Sequence, residues 1–136
     1  MIVVDTNIVL SLIMEDNVIN DKLFENHTIL APSYFKMEVW NVLRKYHFFN
    51  HVPIDVIDES YKSIVMLIDQ FEDDSFLLNS AKKISFNLNH PIYDCLFLAL
   101  ALDKNAIFAS FDKKLVEKAK HIGIETLEEF SGQNYI

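Results

Sequence analysis

The sequence holds one cysteine, two glycines and one arginine in 136 residues, and each shortage closes off a class of chemistry. A single thiol, Cys95, rules out an internal disulfide and any cysteine-rich zinc site. With only Gly123 and Gly132 there is neither the GxGxxG turn of a dinucleotide site nor a P-loop. The five histidines are scattered and form no HExxH pair. No run reaches the roughly 18 to 20 consecutive apolar residues of a membrane span. Met1-Ile2-Val3-Val4-Asp5 enters a hydrophobic run at once, without a basic leader or a small-residue cleavage site. A cytoplasmic location with no membrane association is the resulting expectation. Carboxylates, hydroxyls and amides remain as the reactive groups.

What is present is apolar and acidic. Apolar residues make up 51% and aromatics 12%, enough for one sizeable core, so residues 1–136 read as a single domain. The net charge is −8, and Arg44 is the only arginine. Taken alone, this balance argues against nucleic-acid binding, because phosphate contacts need Lys and Arg.

Strands and helices alternate along the chain. Ile2-Val3-Val4 is a short apolar run ending at Asp5, and reads as a buried strand. Asp5-Thr6-Asn7 can cap a helix to about Met14. A second helix is expected over Asn17 to Glu25, then a strand over Thr28 to Ala31. Ser33 is placed to cap a helix running to about Phe48. Pro53 opens the next, whose apolar positions carry it to about Gln70. Phe71 to Asp73 reads as a short strand, and Ser75 as the cap of a helix to about Asn87. Pro91 opens a helix ending near Asp103, and Ala106 to Ser110 is a strand. Asp112 begins a helix to about His121, followed by Gly123 as a suitable C′ residue. Ile124 to Leu127 reads as a last strand, and the tail after Phe130 as frayed. The connections are too long for hairpins, so an α/β sandwich with a mostly parallel sheet is expected. Ligands bind beyond the carboxyl ends of strands in such sheets, where Asp5 and Asp112 fall.

Four carboxylates stand out, with unequal force. Asp5 and Asp112 each have a complete explanation as helix N-caps. Glu38 is different. Its neighbours at three and four residues are Tyr34, Phe35, Asn41 and Val42, so it shares a face with aromatics and a valine. A carboxylate there is paired, hydrogen-bonded, metal-bound or protonated, unless it lies at the stripe's edge and reaches water. Asp94 precedes Cys95-Leu96-Phe97-Leu98-Ala99-Leu100-Ala101-Leu102, a helix apolar on every side and hence buried. It sits in the first turn, where the helix dipole favours an anion whether or not it has a further role. Carboxylates converging on one cleft repel each other unless a cation neutralises them. All-oxygen ligation with open water positions suits Mg²⁺ or Mn²⁺.

Asp5-Thr6-Asn7 after a first strand, Glu38 within Glu38-Val39-Trp40-Asn41-Val42-Leu43, Tyr93-Asp94 leading the apolar helix, and Ser110-Phe111-Asp112-Lys113-Lys114-Leu115 together resemble the PIN-domain nucleases. The closer likeness is to VapC-type toxins of toxin–antitoxin pairs, and it covers essentially the whole chain in order and spacing. The resemblance implies a three-layer α/β/α sandwich and a Mg²⁺- or Mn²⁺-dependent endonuclease acting on single-stranded RNA. Carried over by position, Asp5, Glu38, Asp94 and Asp112 are the metal-binding acids. Asn7 and Ser110 match the polar residues that support this cluster, with Ser110 standing where threonine is usual. Asn41, one turn from Glu38, either orients it or is a plain surface amide. A homodimer and a small antitoxin that blocks the site are also implied.

The four acids account for half of the net charge, and bound cations offset part of it. Lysines cluster near Asp112 as Lys104, Lys113, Lys114, Lys118 and Lys120. Lys113 and Lys114 are the candidates for phosphate contacts, although a solvated helix face explains most of this group. Phe48 and Phe49 at a helix end suit a dimer or antitoxin surface. Two other readings share the pattern: a catalytically silent scaffold of the same fold, and a housekeeping RNA-processing nuclease. A phosphorylation receiver domain fits less well, because Asp5 is followed by Thr6-Asn7 and Glu38 has no role in it.

Overall fold

The computed structural model describes residues 1–14 and 22–127. The strand β1 (Ile2–Val4) is followed by α1 (Thr6–Met14) and α2 (Lys22–Asn26), then β2 (Ile29–Pro32), α3 (Tyr34–Asn50) and α4 (Ile54–Val65). The chain continues through β3 (Gln70–Glu72), α5 (Asp74–Leu88), α6 (Ile92–Lys104), β4 (Ile107–Ala109) and α7 (Lys113–His121). The four strands form one sheet in the order β3-β2-β1-β4, and every pairing is parallel. Each parallel step requires a crossover, and helices supply all of them. The expected α/β/α sandwich is what the chain forms.

Burial follows the sheet order. The inner strands β1 and β2 are buried at every residue, as strands covered on both faces must be, while β3 at the edge is exposed or half-buried. Helix α6 packs on α5 and lies against β1, β2 and β4. It is buried without a break from Cys95 to Ala101. Helices α1, α3 and α4 pack on one another, and α3 also reaches β2. Phe35, Phe97, Phe108 and Leu98 are among the largest fully enclosed side chains.

Several expected boundaries move, each for a physical reason. Ser33 does not cap α3. It is right-handed helical itself and makes no capping bond, and its N–H and hydroxyl both donate to the Glu72 carbonyl beside it on β3. The acceptor for the Tyr34 N–H is instead the Asp74 carboxylate, 3.0 Å away. Helix α3 runs on to Asn50, where His51 turns left-handed (φ 59°) and its N–H closes on Tyr46. Helix α4 stops at Val65 and not near Gln70. The apolar residues beyond it form tight turns, Leu67 N–H to Ile64 and Ile68 N–H to Val65. Asp69 then clamps the start of β2 through its own N–H and its carboxylate, both bonded to Ile29. Asp73, not Ser75, caps α5, and Ser75 is the residue whose N–H it accepts. The last expected strand is reduced to one parallel bridge, Phe108 with Thr126. Asp112 caps α7, and Gly123 follows that helix with φ 85°. The expected helix start at Asn17 and the tail after Phe130 lie outside the described residues.

The enclosed helix α6 makes a sharp stability test. Leu98→Ala, at a fully buried position, should cost about 3 kcal/mol in urea unfolding, within the usual span for a cavity left by leucine. Leu102→Ala on the same helix, 42% exposed, should cost about 0.5 kcal/mol or less.

Candidate active site

The strand order reverses at β1. From it the chain builds outward through β2 and β3, then returns to place β4 on the other side. A crevice forms at the carboxyl ends of strands at such a switch point. Asp5 leaves β1 there, and Ser110 and Asp112 leave β4. The Asp5 N–H donates to the Ala109 carbonyl at 2.9 Å, which ties the two strand ends together.

Asp5 is 7% exposed and is held on both carboxylate oxygens. The Thr6 N–H donates to Oδ1 at 2.7 Å, the Ser110 hydroxyl to Oδ2 at 2.7 Å, and the Asn7 amide to Oδ2 at 3.4 Å. Asn7 also donates to Ser110 Oγ (3.3 Å) and accepts from the Phe111 N–H (3.1 Å), so it bridges the loops after β1 and β4. Ser110 Oγ in turn accepts from the Asp112 N–H at 3.0 Å. These bonds place Asn7 and Ser110 against the Asp5 carboxylate, and Ser110 also against the Asp112 backbone.

Glu38 is half-buried on α3, and the Thr6 hydroxyl donates to its Oε1 at 2.6 Å. Thr6 therefore orients two acids, one through its backbone and one through its side chain. Asn41, three residues beyond Glu38 on α3, has no hydrogen bond to it; its Oδ1 accepts instead from Arg44 Nε at 3.0 Å, three residues further along the helix. Asp94 sits in the first turn of α6, and its Oδ2 lies 2.7 Å from His90 Nε2. Asp112 is exposed, and its Oδ1 accepts from the Leu115 N–H at 3.1 Å as the cap of α7. All four acids line one cavity of about 940 Å³. Its other wall is formed by Leu10, Met37, Trp40 and Tyr61. Tyr34, also lining it, stacks on Tyr93 with ring centres 5.1 Å apart, joining α3 to the start of α6.

The electrostatics are those of crowded anions. Burial pushes the Asp5 carboxyl from its ordinary value up to about 7; the Ser110 hydrogen bond opposes this, and the charges of Glu38 and Asp94 add to it. Glu38 is raised by burial, opposed by the Thr6 bond and reinforced by Asp94. Among the described residues no lysine or arginine forms an ion pair with any of the four. No group of three acidic, histidine or cysteine side chains among them forms a ready-made metal cage either. The site is an open one, with acids spaced around a cavity. Burial also lifts the Cys95 thiol, to about 11, which leaves it a poor nucleophile.

Three contributors were not legible as such in the sequence. Thr6 counted only as part of a cap. His90, four residues before Asp94, is a standard helical spacing that carried no weight without a visible partner. Lys118 reads in the sequence as one of a lysine cluster near Asp112, but its Nζ lies 2.9 Å from His90 Nδ1. Lys104 and Lys120 have acidic neighbours, Asp103 and Glu117. Lys113 and Lys114, directly after Asp112, are exposed.

A family model described as PIN domain matches residues 2–121. The chain belongs to the PIN-domain family. No significant match to a curated protein is found. PIN domains are generally nucleases that act on nucleic acids, and generally use divalent metals. No described helix is long and apolar enough to cross a membrane.

The raised carboxyl of Asp5 has a thermodynamic signature in the metal-free PIN domain. Its folded pKa of about 7 lies above its ordinary value of 3.8. The unfolded chain therefore loses this proton first as pH rises, and stability falls between about pH 4 and pH 7. Asp5→Asn should remove that slope. In EDTA at pH 8 the variant should be the more stable by roughly 2 to 4 kcal/mol, with the gap closing near pH 4. A difference independent of pH, measured by urea unfolding, would contradict the raised carboxyl and its cause in burial and neighbouring charge.

Proposed function

We propose that this PIN domain, acting as a single domain over residues 1–136, is a Mg²⁺- or Mn²⁺-dependent endoribonuclease that cuts single-stranded RNA. We further propose that it is the toxin of a toxin–antitoxin pair in the cytoplasm. The observation that carries the nuclease reading is the set of buried Asp5 and half-buried Glu38 and Asp94 on one open cavity, none of them in an ion pair with a lysine or arginine among the described residues.

The donor set fits a hard divalent ion. The candidate ligands are carboxylates lining one cavity, and one or two carboxylates with water or substrate phosphate in the remaining positions is how Mg²⁺ is commonly held. Asp5 and Asp94 are assigned as direct ligands. Glu38 and Asp112 contribute directly, through water, or through an ion that arrives with substrate. When bound, the ion activates water and stabilises the charge that builds on the phosphodiester.

The chain's own residues set the geometry. Ser110, Asn7 and the Thr6 N–H fix the Asp5 carboxylate, and the Thr6 hydroxyl fixes Glu38. Lys113 and Lys114, beside Asp112, offer exposed ammonium groups to a backbone phosphate. Trp40, 42% exposed and edge-on to Tyr61 at 5.3 Å, supplies an aromatic face in the same cavity. An unpaired base can stack on such a face and a paired one cannot, which favours a single strand. In the overall reaction water oxygen bonds to phosphorus and the bond to the 3′ oxygen breaks. A 5′-phosphate and a 3′-hydroxyl result.

The toxin role rests on the likeness to VapC-type proteins, with support from the surface. Phe48 and Phe49 are 64% and 76% exposed at the end of α3, available to a second copy in a homodimer or to an antitoxin. A net charge of −8 suits a basic antitoxin partner.

An RNA cleavage assay tests the reaction. Single-stranded RNA should be cut in Mg²⁺ or Mn²⁺, and Asp94→Asn should lower the rate by about 100-fold or more. Cleavage that persists in EDTA, or equal rates for both proteins, would sink the mechanism. Expression should arrest growth, and Asp94→Asn should relieve the arrest; a harmless wild type would leave a housekeeping or silent PIN domain.

A further inference from the structure

A second polar network at the site runs from the link between α5 and α6 to α7. His90 lies in the short link between α5 and α6, and its side chain is 13% exposed. Its backbone is tightly fixed. Asn89 before it is left-handed (φ 49°), Pro91 after it restricts its conformation to the extended region, and its N–H donates to the Ser85 carbonyl at 3.0 Å. From that anchor the imidazole reaches two residues. Nε2 lies 2.7 Å from Asp94 Oδ2, and Nδ1 lies 2.9 Å from Lys118 Nζ on α7.

The chemistry of lysine decides the proton's position. An ammonium donates and cannot accept, so Nδ1 must be the accepting nitrogen. The ring proton is then on Nε2, and it points at Asp94. We propose that Lys118, His90 and Asp94 form a directed relay in which Lys118 fixes the tautomer of His90, and His90 holds the Asp94 carboxylate in its ligating orientation. His90 is a positioning residue, acting on the ion through Asp94. The assignment rests on the reading of Asp94 as an ion ligand.

The arrangement solves a specific problem. A cation placed directly on Asp94 would neutralise it and compete with a metal ion. An imidazole interposed between Lys118 and Asp94 occupies one carboxylate oxygen and leaves Oδ1 with no hydrogen-bond partner among the described residues. The lysine's charge stays one ring away. Carboxylates that ligate metals are themselves held by such outer hydrogen bonds, and losing the partner commonly weakens metal affinity 10- to 100-fold.

The test is Mn²⁺ affinity, read by electron paramagnetic resonance of the free ion, together with the nitrogen-15 spectrum of His90. Four proteins are compared: wild type, His90→Leu, His90→Gln and Lys118→Met. The glutamine amide can put a donor near the position of Nε2; leucine cannot. We expect His90→Leu to bind Mn²⁺ about 10- to 100-fold more weakly, His90→Gln to recover most of that loss, and Lys118→Met to lose several-fold. The wild-type ring should carry its single proton on Nε2. A purely structural His90 would lower the melting temperature of both His90 variants without separating their affinities. Equal Mn²⁺ affinity in wild type and His90→Leu, no recovery by glutamine, wild-type affinity in Lys118→Met, or a proton on Nδ1 overturns the relay. A wild type that takes up no Mn²⁺ overturns the metal reading itself and the relay's role with it, and so is told apart from failure of the relay alone.

Discussion

Burying the Asp5 carboxylate costs free energy that its hydrogen bonds recover only in part, and the site is organised around that cost. Three donors converge on the group, from Thr6, Ser110 and Asn7. Its carboxyl still sits near 7, because burial penalises the charge and, to a lesser degree, two further acids face the same cavity. Hydrogen bonds to a carboxylate lower its pKa, whereas burial and like charge raise it. At this site burial and like charge win. A protein gains nothing in stability from that outcome, so the arrangement points to a function, and strained charge of this kind clusters at functional sites.

The sheet topology explains why the strain falls where it does. Asp5 follows the strand on which the order reverses, and Ser110 and Asp112 follow its neighbour. Helix α6 lies against both strands and carries Asp94 in its first turn, where backbone N–H groups favour an anion. Helix α3 brings Glu38 to the hydroxyl of Thr6. Elements far apart in sequence therefore meet at one end of the sheet, and each contributes a single acid.

Much of this layout could be read from residue patterns, and the reasons are local. The apolar runs of β1, β2 and α6 are unbroken because those elements are buried on all sides. They fix the layers and place Asp5 and Asp94 at element ends. Asp112 looked like a helix cap and is one, through the Leu115 N–H, while also lining the cavity. What escaped the sequence is long-range. The Thr6 to Glu38 bond spans 32 positions and Lys118 to His90 spans 28. The acceptor for the first turn of α3 came from Asp74, 40 residues away, so the local candidate Ser33 was misleading. Asn41 has Glu38 and Arg44 at equal spacing on its own helix, so spacing could not choose between them, and its Oδ1 accepts from Arg44. Ile124 to Leu127, read as a last strand, holds one bridge to the sheet, Thr126 with Phe108.

The central claim is that these acids are arranged for a divalent cation, and the most direct measurement is a crystal soaked in Mn²⁺ with diffraction recorded for the manganese anomalous signal. The account predicts a peak in the cavity within coordination distance of the Asp5 and Asp94 carboxylates, absent from crystals of Asp94→Asn. A soaked crystal with no anomalous peak there, or one whose manganese sits only on surface acids outside the cavity, would contradict it.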